Sequence, residues 1–130
     1  MKNLKKLCFA FVLGVFLSAC GSSSPEEIAL DFTKAVYAGD TKAVMKFFDL
    51  EGAKPEEVAF AEGKIGLVLS QAKKTSESKG GVKEVVVADK KITENKAIIQ
   101  TKVIFKDGSE DLSGRTSLIK KDNTWFVELK

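Results

Sequence analysis

Ala97-Ile-Ile-Gln-Thr-Lys-Val-Ile-Phe105, followed by Lys106-Asp107-Gly108, decides the architecture. Ala97, Ile99, Thr101, Val103 and Phe105 recur at every second position, the period of a strand with one buried face. Asp107-Gly108 is a hairpin signal. Leu112–Ile119 then reads as the returning strand, with Leu112, Gly114, Thr116 and Leu118 expected inward. Lys121-Asp122-Asn123 turns the chain again, and Trp125, Val127 and Leu129 close the inner face. Upstream, Val82–Ala88 supplies a further short strand. The last third is therefore a four-stranded antiparallel β-meander.

Helices precede it. Ser24-Pro25-Glu26-Glu27 combines an N-cap serine, a proline suited to the first helical position and a capping-box glutamate. Ile28, Ala29, Phe32, Ala35 and Val36 then share one face. Gly39 ends this helix, and Asp40 caps a shorter one carrying Val44, Phe47 and Phe48. Pro55 opens a third, expected to run to about Lys74, with Val58, Ala61, Ile65, Val68, Leu69 and Ala72 as its stripe. Gly63 and Gly66 weaken it by about 1 kcal/mol each relative to alanine, or admit close packing. Thr75 to Gly81 reads as a polar loop.

The other end of the chain speaks of location. Lys2, Lys5 and Lys6 form a positive start, and Leu7 to Leu17 is almost wholly apolar. That run is about half the roughly 20 residues that cross a bilayer. Leu17-Ser18-Ala19-Cys20 closes it and resembles the lipobox of bacterial lipoproteins. The resemblance implies that residues 1–19 are a cleaved signal peptide, that residues 20–24 are a lipidated Cys20 and tether, and that residues 25–130 are the folded domain. It also implies a diacylglyceryl thioether and an acylated amine, such as palmitate, on Cys20. Gly21 in place of an aspartate implies the outer membrane, facing the periplasm, or the cell membrane in an organism with only one.

Composition narrows the function classes. The formal charge of +3 comes from the three lysines of the leader, so the mature chain is electrically balanced. No basic field remains to argue for nucleic acid. There is no histidine, Cys8 leaves with the leader, and Cys20 carries lipid. The commonest general base, the commonest transition-metal ligand and any thiol nucleophile are thereby lost. No cofactor, metal site or catalytic residue is expected, and the chain reads as a non-enzyme.

Helices followed by a four-stranded meander is the order of the cystatin-like, nuclear-transport-factor-2-like superfamily, an α+β class. The resemblance is carried by Ser24-Pro25-Glu26-Glu27, Phe32, Ala35 and Gly39-Asp40, and by Ala97-x-Ile99 and Asp107-Gly108. Leu118-x-Lys120 leading to Trp125-x-Val127 completes it. Within that superfamily, the chain resembles small bacterial lipoproteins of unknown function, sometimes labelled lumazine-binding. The fold implies a curved sheet wrapped on helices, with a conical pocket expected to be lined by Phe32, Val36, Phe48, Ile65, Leu69, Ile99, Val103, Leu118 and Trp125. Core packing is the competing account of the same residues.

Two further apolar pairs stand apart from the main stripes. Leu30 and Tyr37 are seven residues apart on the first helix, as are Phe60 and Leu67 on the third. They are candidates for a partner surface, an envelope protein or a second copy, unless they pack within the subunit. Lysines gather at the first and third turns (Lys90, Lys91, Lys96, Lys120, Lys121), which suggests a face for anionic lipid or simply solvated turns. The sequence supports a membrane-anchored module for a protein partner or a small apolar ligand. A pocket enzyme using a carboxylate, and an accessory subunit in envelope assembly, are its alternatives.

Overall fold

The computed structural model describes residues 23–128. The signal peptide, Cys20 and Leu129 lie outside the described residues. Helix α1 spans Pro25–Ala38, α2 Thr41–Met45 and α3 Pro55–Ser78. Strands β1 (Val82–Ile92), β2 (Lys96–Phe105), β3 (Glu110–Lys121) and β4 (Thr124–Val127) follow, in a sheet ordered β1-β2-β3-β4 with every pair antiparallel.

The caps form as the residues dictate. Ser24 Oγ accepts from Glu27 N–H at 3.2 Å, and Glu27 Oε1 accepts from Ser24 N–H at 3.1 Å. Two donors that a helix start leaves orphaned are thus satisfied reciprocally. Gly39 ends α1 in the left-handed region, φ +73°, and Asp40 Oδ1 then receives the N–H of Ala43 at 3.1 Å to start α2. Helix α3 runs one turn beyond the expected Lys74. Its serines and threonine do not break it, because Ser78 returns its hydroxyl to the Thr75 carbonyl at 2.8 Å. The stop is Gly80-Gly81, both at positive φ, with Gly81 N–H donating to the Ser76 carbonyl at 2.8 Å.

Strand β1 also outruns expectation, since Lys90, Lys91 and Ile92 stay in register with Ile99, Ile98 and Ala97. Asp122 and Asn123, at φ 52° and 64°, make the tight β3–β4 turn. Phe105, Ile99, Val103, Thr101, Leu118 and Val44 are the largest side chains closed off from solvent. Each apolar member of that set stabilises the fold by roughly 1.5–3 kcal/mol. The main core joins Ala29, Val44, Phe48 and Leu69 to Ile99, Leu118, Trp125 and Val127; a second cluster gathers Val85, Val103 and Phe105 with Leu30, Tyr37 and Val82.

One irregularity shapes the site. Gln100 pairs with Arg115 and Lys102 with Leu112, so β3 sets two residues, Ser113 and Gly114, against Thr101 alone. A bulge of this kind shifts the alternation by one. Thr116 and Leu118 face the helices as the sequence suggests, but Leu112 turns out to solvent and is 59% exposed. Asp111, opposite the buried Val103, takes the inner side in its place.

Candidate functional site

Helix α3 packs chiefly on α1 and α2. A cavity of about 360 Å³ remains between α1, the residues around α2, α3 and the bulged part of β3. Phe32 and Val36 reach it from the core stripe of α1, Ile65 and Leu69 from α3, and Phe48 from the segment after α2. Phe32 is fixed by edge-on contacts with Phe47 and Phe48, ring centroids 5.6 and 5.9 Å away. Gly114 and Thr116 supply the sheet side. Nothing lies within 4 Å of where a Cβ on Gly114 would stand.

Of the nine residues expected to line a cone, five (Phe32, Val36, Phe48, Ile65 and Leu69) border this cavity. Ile99, Val103, Leu118 and Trp125 do not: all four are buried among core side chains. Sequence periodicity identifies the inward face of a strand but not where on that face packing stops.

The second pair of stripes divides. Leu30 and Tyr37 pack inside the molecule against Val85, Val103 and Phe105, and the Tyr37 ring meets Phe105 edge-on at 5.8 Å. Phe60 and Leu67 are 70% and 77% exposed, and Tyr37, only partly buried, borders a surface hollow with Leu67. The Tyr37 hydroxyl donates to Asp111 Oδ2 at 2.8 Å. Burial, and then this bond to a carboxylate, push the Tyr37 phenol up to about 12. Local sequence holds no sign of this pair, because the bulge brings Asp111 to the inner side.

Three hydroxyls belong to the cavity wall. Thr33 Oγ1 donates to the Ala29 carbonyl at 2.9 Å and lies 3.0 Å from Thr101 Oγ1. Tyr37 is committed to Asp111. Thr116, 8% exposed, has no hydrogen-bond partner among the described residues. Arg115 borders the cavity but belongs to the outer face, opposite Gln100, where both line a separate hollow with Asp89 and Lys91.

Two of the five lysines at this end of the sheet are paired with acids. Lys90 pairs with Glu26 at 2.8 Å, and Lys121 with Asp49 at 2.8 Å and Glu51 at 3.3 Å. The Lys90 and Lys121 hydrogen bonds hold the Glu26 and Asp49 carboxyls below their usual range. Among the described residues no cluster of three or more acidic, histidine or cysteine side chains could hold a metal ion.

A family model described as a domain of unknown function, DUF4878, matches residues 18–128. The chain belongs to this family. An uncharacterized lipoprotein of Staphylococcus epidermidis is 32% identical over 82 residues, 63% of this chain. The chain spans about a third (32%) of that relative's length. The crystal structure of a Campylobacter jejuni protein, provisionally named an NTF2-like transpeptidase, superposes with a TM-score of 0.76 at 38% identity, covering 83% of this chain and 100% of its own. The DUF4878 domain thus has the NTF2-like α+β fold. None of these three matches carries the lumazine-binding label that the resemblance suggested.

Proposed function

We propose that this DUF4878 domain is a non-catalytic binding module, held at the cell envelope by lipid on Cys20, and that its cavity takes a small apolar ligand. The observation that carries this reading is the cavity of about 360 Å³, walled by Phe32, Val36, Phe48, Ile65 and Leu69. Concave, mostly apolar sites of a few hundred cubic ångströms with few polar groups are the usual form of small-molecule sites. The Staphylococcus relative's name, lipoprotein, and the Leu17-Ser18-Ala19-Cys20 motif support the anchor. Residence in the outer membrane facing the periplasm rests on Gly21 alone.

The Campylobacter neighbour's name suggests a second reading, acyl transfer. That chemistry needs a nucleophile within hydrogen-bond reach of a base. Among the described residues, the Thr33 hydroxyl is tied to the Ala29 carbonyl and Thr101, and Thr116 has no adjoining base. Tyr37 and Asp111 are in reach of each other, but the raised phenol makes the tyrosine a poor nucleophile at neutral pH. The binding reading is therefore preferred. The exposed Phe60 and Leu67 leave a protein partner or a second copy as further company for the same module.

Mass spectrometry of ligands retained by the natively processed protein, paired with crosslinking in intact cells, tests the proposal. A co-purifying apolar molecule lost on Gly114→Leu supports it. Recovery of the leader uncleaved, or a cavity that retains nothing and admits no apolar probe, overturns it.

A further inference from the structure

We propose that Thr116 is the polar anchor of the cavity, and that the ligand is uncharged, mainly apolar, and carries one hydrogen-bonding oxygen. This rests on the binding reading above. Thr116 sits on β3 just past the bulge, opposite Ile99, with its side chain toward the helices. It is more than nine-tenths buried, yet its hydroxyl meets no partner among the described residues. A buried hydroxyl without a bond is costly and is rarely left so. The other two hydroxyls of the wall are already engaged, Thr33 with Ala29 and Tyr37 with Asp111. Thr116 is therefore the group a ligand would satisfy.

The charge of the ligand follows from what surrounds the hydroxyl. Phe32, Val36, Phe48, Ile65 and Leu69 offer no counter-ion. Among the described residues Arg115 is the one charged residue at the border, and it stands opposite Gln100 in the strand register, on the outer face of the sheet. An anion or cation would lose its hydration there without replacement. A hydroxyl or carbonyl oxygen loses little, because Thr116 can donate or accept. Gly114 leaves the approach open: no Cβ occupies the space beside Thr116, and its backbone is outside the left-handed region, so a larger side chain there would enter the cavity without strain.

Three probes of similar shape separate these claims: 2-naphthol, naphthalene and 2-naphthoate. Each is titrated into the native lipidated protein in lipid nanodiscs, followed through the methyl resonances of Val36, Leu69 and Val44. Empty discs correct for partitioning. The wild type binds 2-naphthol about tenfold more tightly than naphthalene, and 2-naphthoate most weakly, as expected of a site that bonds an oxygen. Thr116→Val reduces the naphthol preference to about unity while naphthalene still binds; Thr116→Ser keeps it. A preference that survives Thr116→Val, or naphthoate bound as tightly as naphthol, overturns the anchor while leaving the cavity as a binding site. Probes that bind Gly114→Leu as they bind the wild type sit elsewhere, and the cavity reading falls with the inference.

Discussion

Thr33 and Thr116 face the same space and differ in one respect that stability can read. Thr33 Oγ1 donates to the Ala29 carbonyl and shares a 3.0 Å contact with Thr101 Oγ1. Thr33→Val removes both contacts from a buried site, and a loss of about 1–2 kcal/mol is expected in urea unfolding. Thr116→Val removes a hydroxyl that no group among the described residues satisfies. It should leave stability unchanged or raise it by up to about 1 kcal/mol. Equal losses at the two positions would show that Thr116 has a partner after all. Tyr37 offers a second test, because it is the single tyrosine of the chain. Its phenolate absorbance should rise with a midpoint of about 12. The folded phenol sits above the ordinary value of 10, so the folded state holds the proton longer than the unfolded one. Tyr37 then contributes stability that is complete below pH 10 and is lost as pH climbs toward 12. Tyr37→Phe should flatten that part of the profile relative to wild type, while the lysines, common to both, cancel. Identical slopes would remove the Asp111 bond from the account.

The elements show where local rules suffice and where they stop. Capping made α1 and α2 readable, since Ser24, Glu27, Gly39 and Asp40 each act on backbone groups within a few residues. Alternation made β2 readable for the same reason. The bulge opposite Thr101 was not readable, because it depends on how β3 meets β2 and not on β3 alone. That one inserted residue misassigned Leu112, hid Asp111 and produced the opening beside Gly114. Four cavity residues (Phe32, Val36, Ile65 and Leu69) were visible as helix stripes, whereas Phe48 lies beyond the end of α2 and the hydroxyl of Thr116, without a partner among the described residues, shows only in three dimensions. Gly63 and Gly66 in α3 also read differently in three dimensions. The sequence allowed that they admit close packing, but nothing lies within 4 Å of a Cβ at either. Gly63→Ala and Gly66→Ala should each stabilise by about 0.5–1 kcal/mol, seen as an upward shift in thermal midpoint. Gly39→Ala should do the reverse, since φ is +73° and the new Cβ would stand 2.8 Å from Lys73 Cδ. Stabilisation at Gly39, or loss at the two helix positions, would contradict this geometry.

At the scale of the molecule, the anchor and the charge pattern bear on each other. Gly21 to Ser24 reach no more than roughly 14 Å when extended. Ser24 begins α1, and Glu26 in its first turn is bonded to Lys90 near the β1–β2 turn. Lipid on Cys20 would therefore bring the lysine-bearing end of the sheet to the membrane. A basic end held against anionic headgroups would ordinarily add adhesion of its own. Here the N-terminal half answers part of it: Glu26 at the start of α1 takes Lys90, and Asp49 and Glu51 in the α2–α3 connection take Lys121. The exposed pairs add little to stability, but they offset two of the five lysines that the turns present. Lipid on Cys20 would then supply most of the attachment, which two or three acyl chains can do and one does only marginally. Cys20→Ser should move the protein out of the membrane fraction. Its leader-free form should bind phosphatidylserine vesicles weakly at physiological salt. Glu26→Gln combined with Asp49→Asn and Glu51→Gln should strengthen that binding in a salt-sensitive way, because the exposed lysines are then uncompensated. Salt-sensitive adhesion of the Cys20→Ser form with its acids intact would show that the turns hold the membrane themselves, and the neutralising role of the three acids would be wrong.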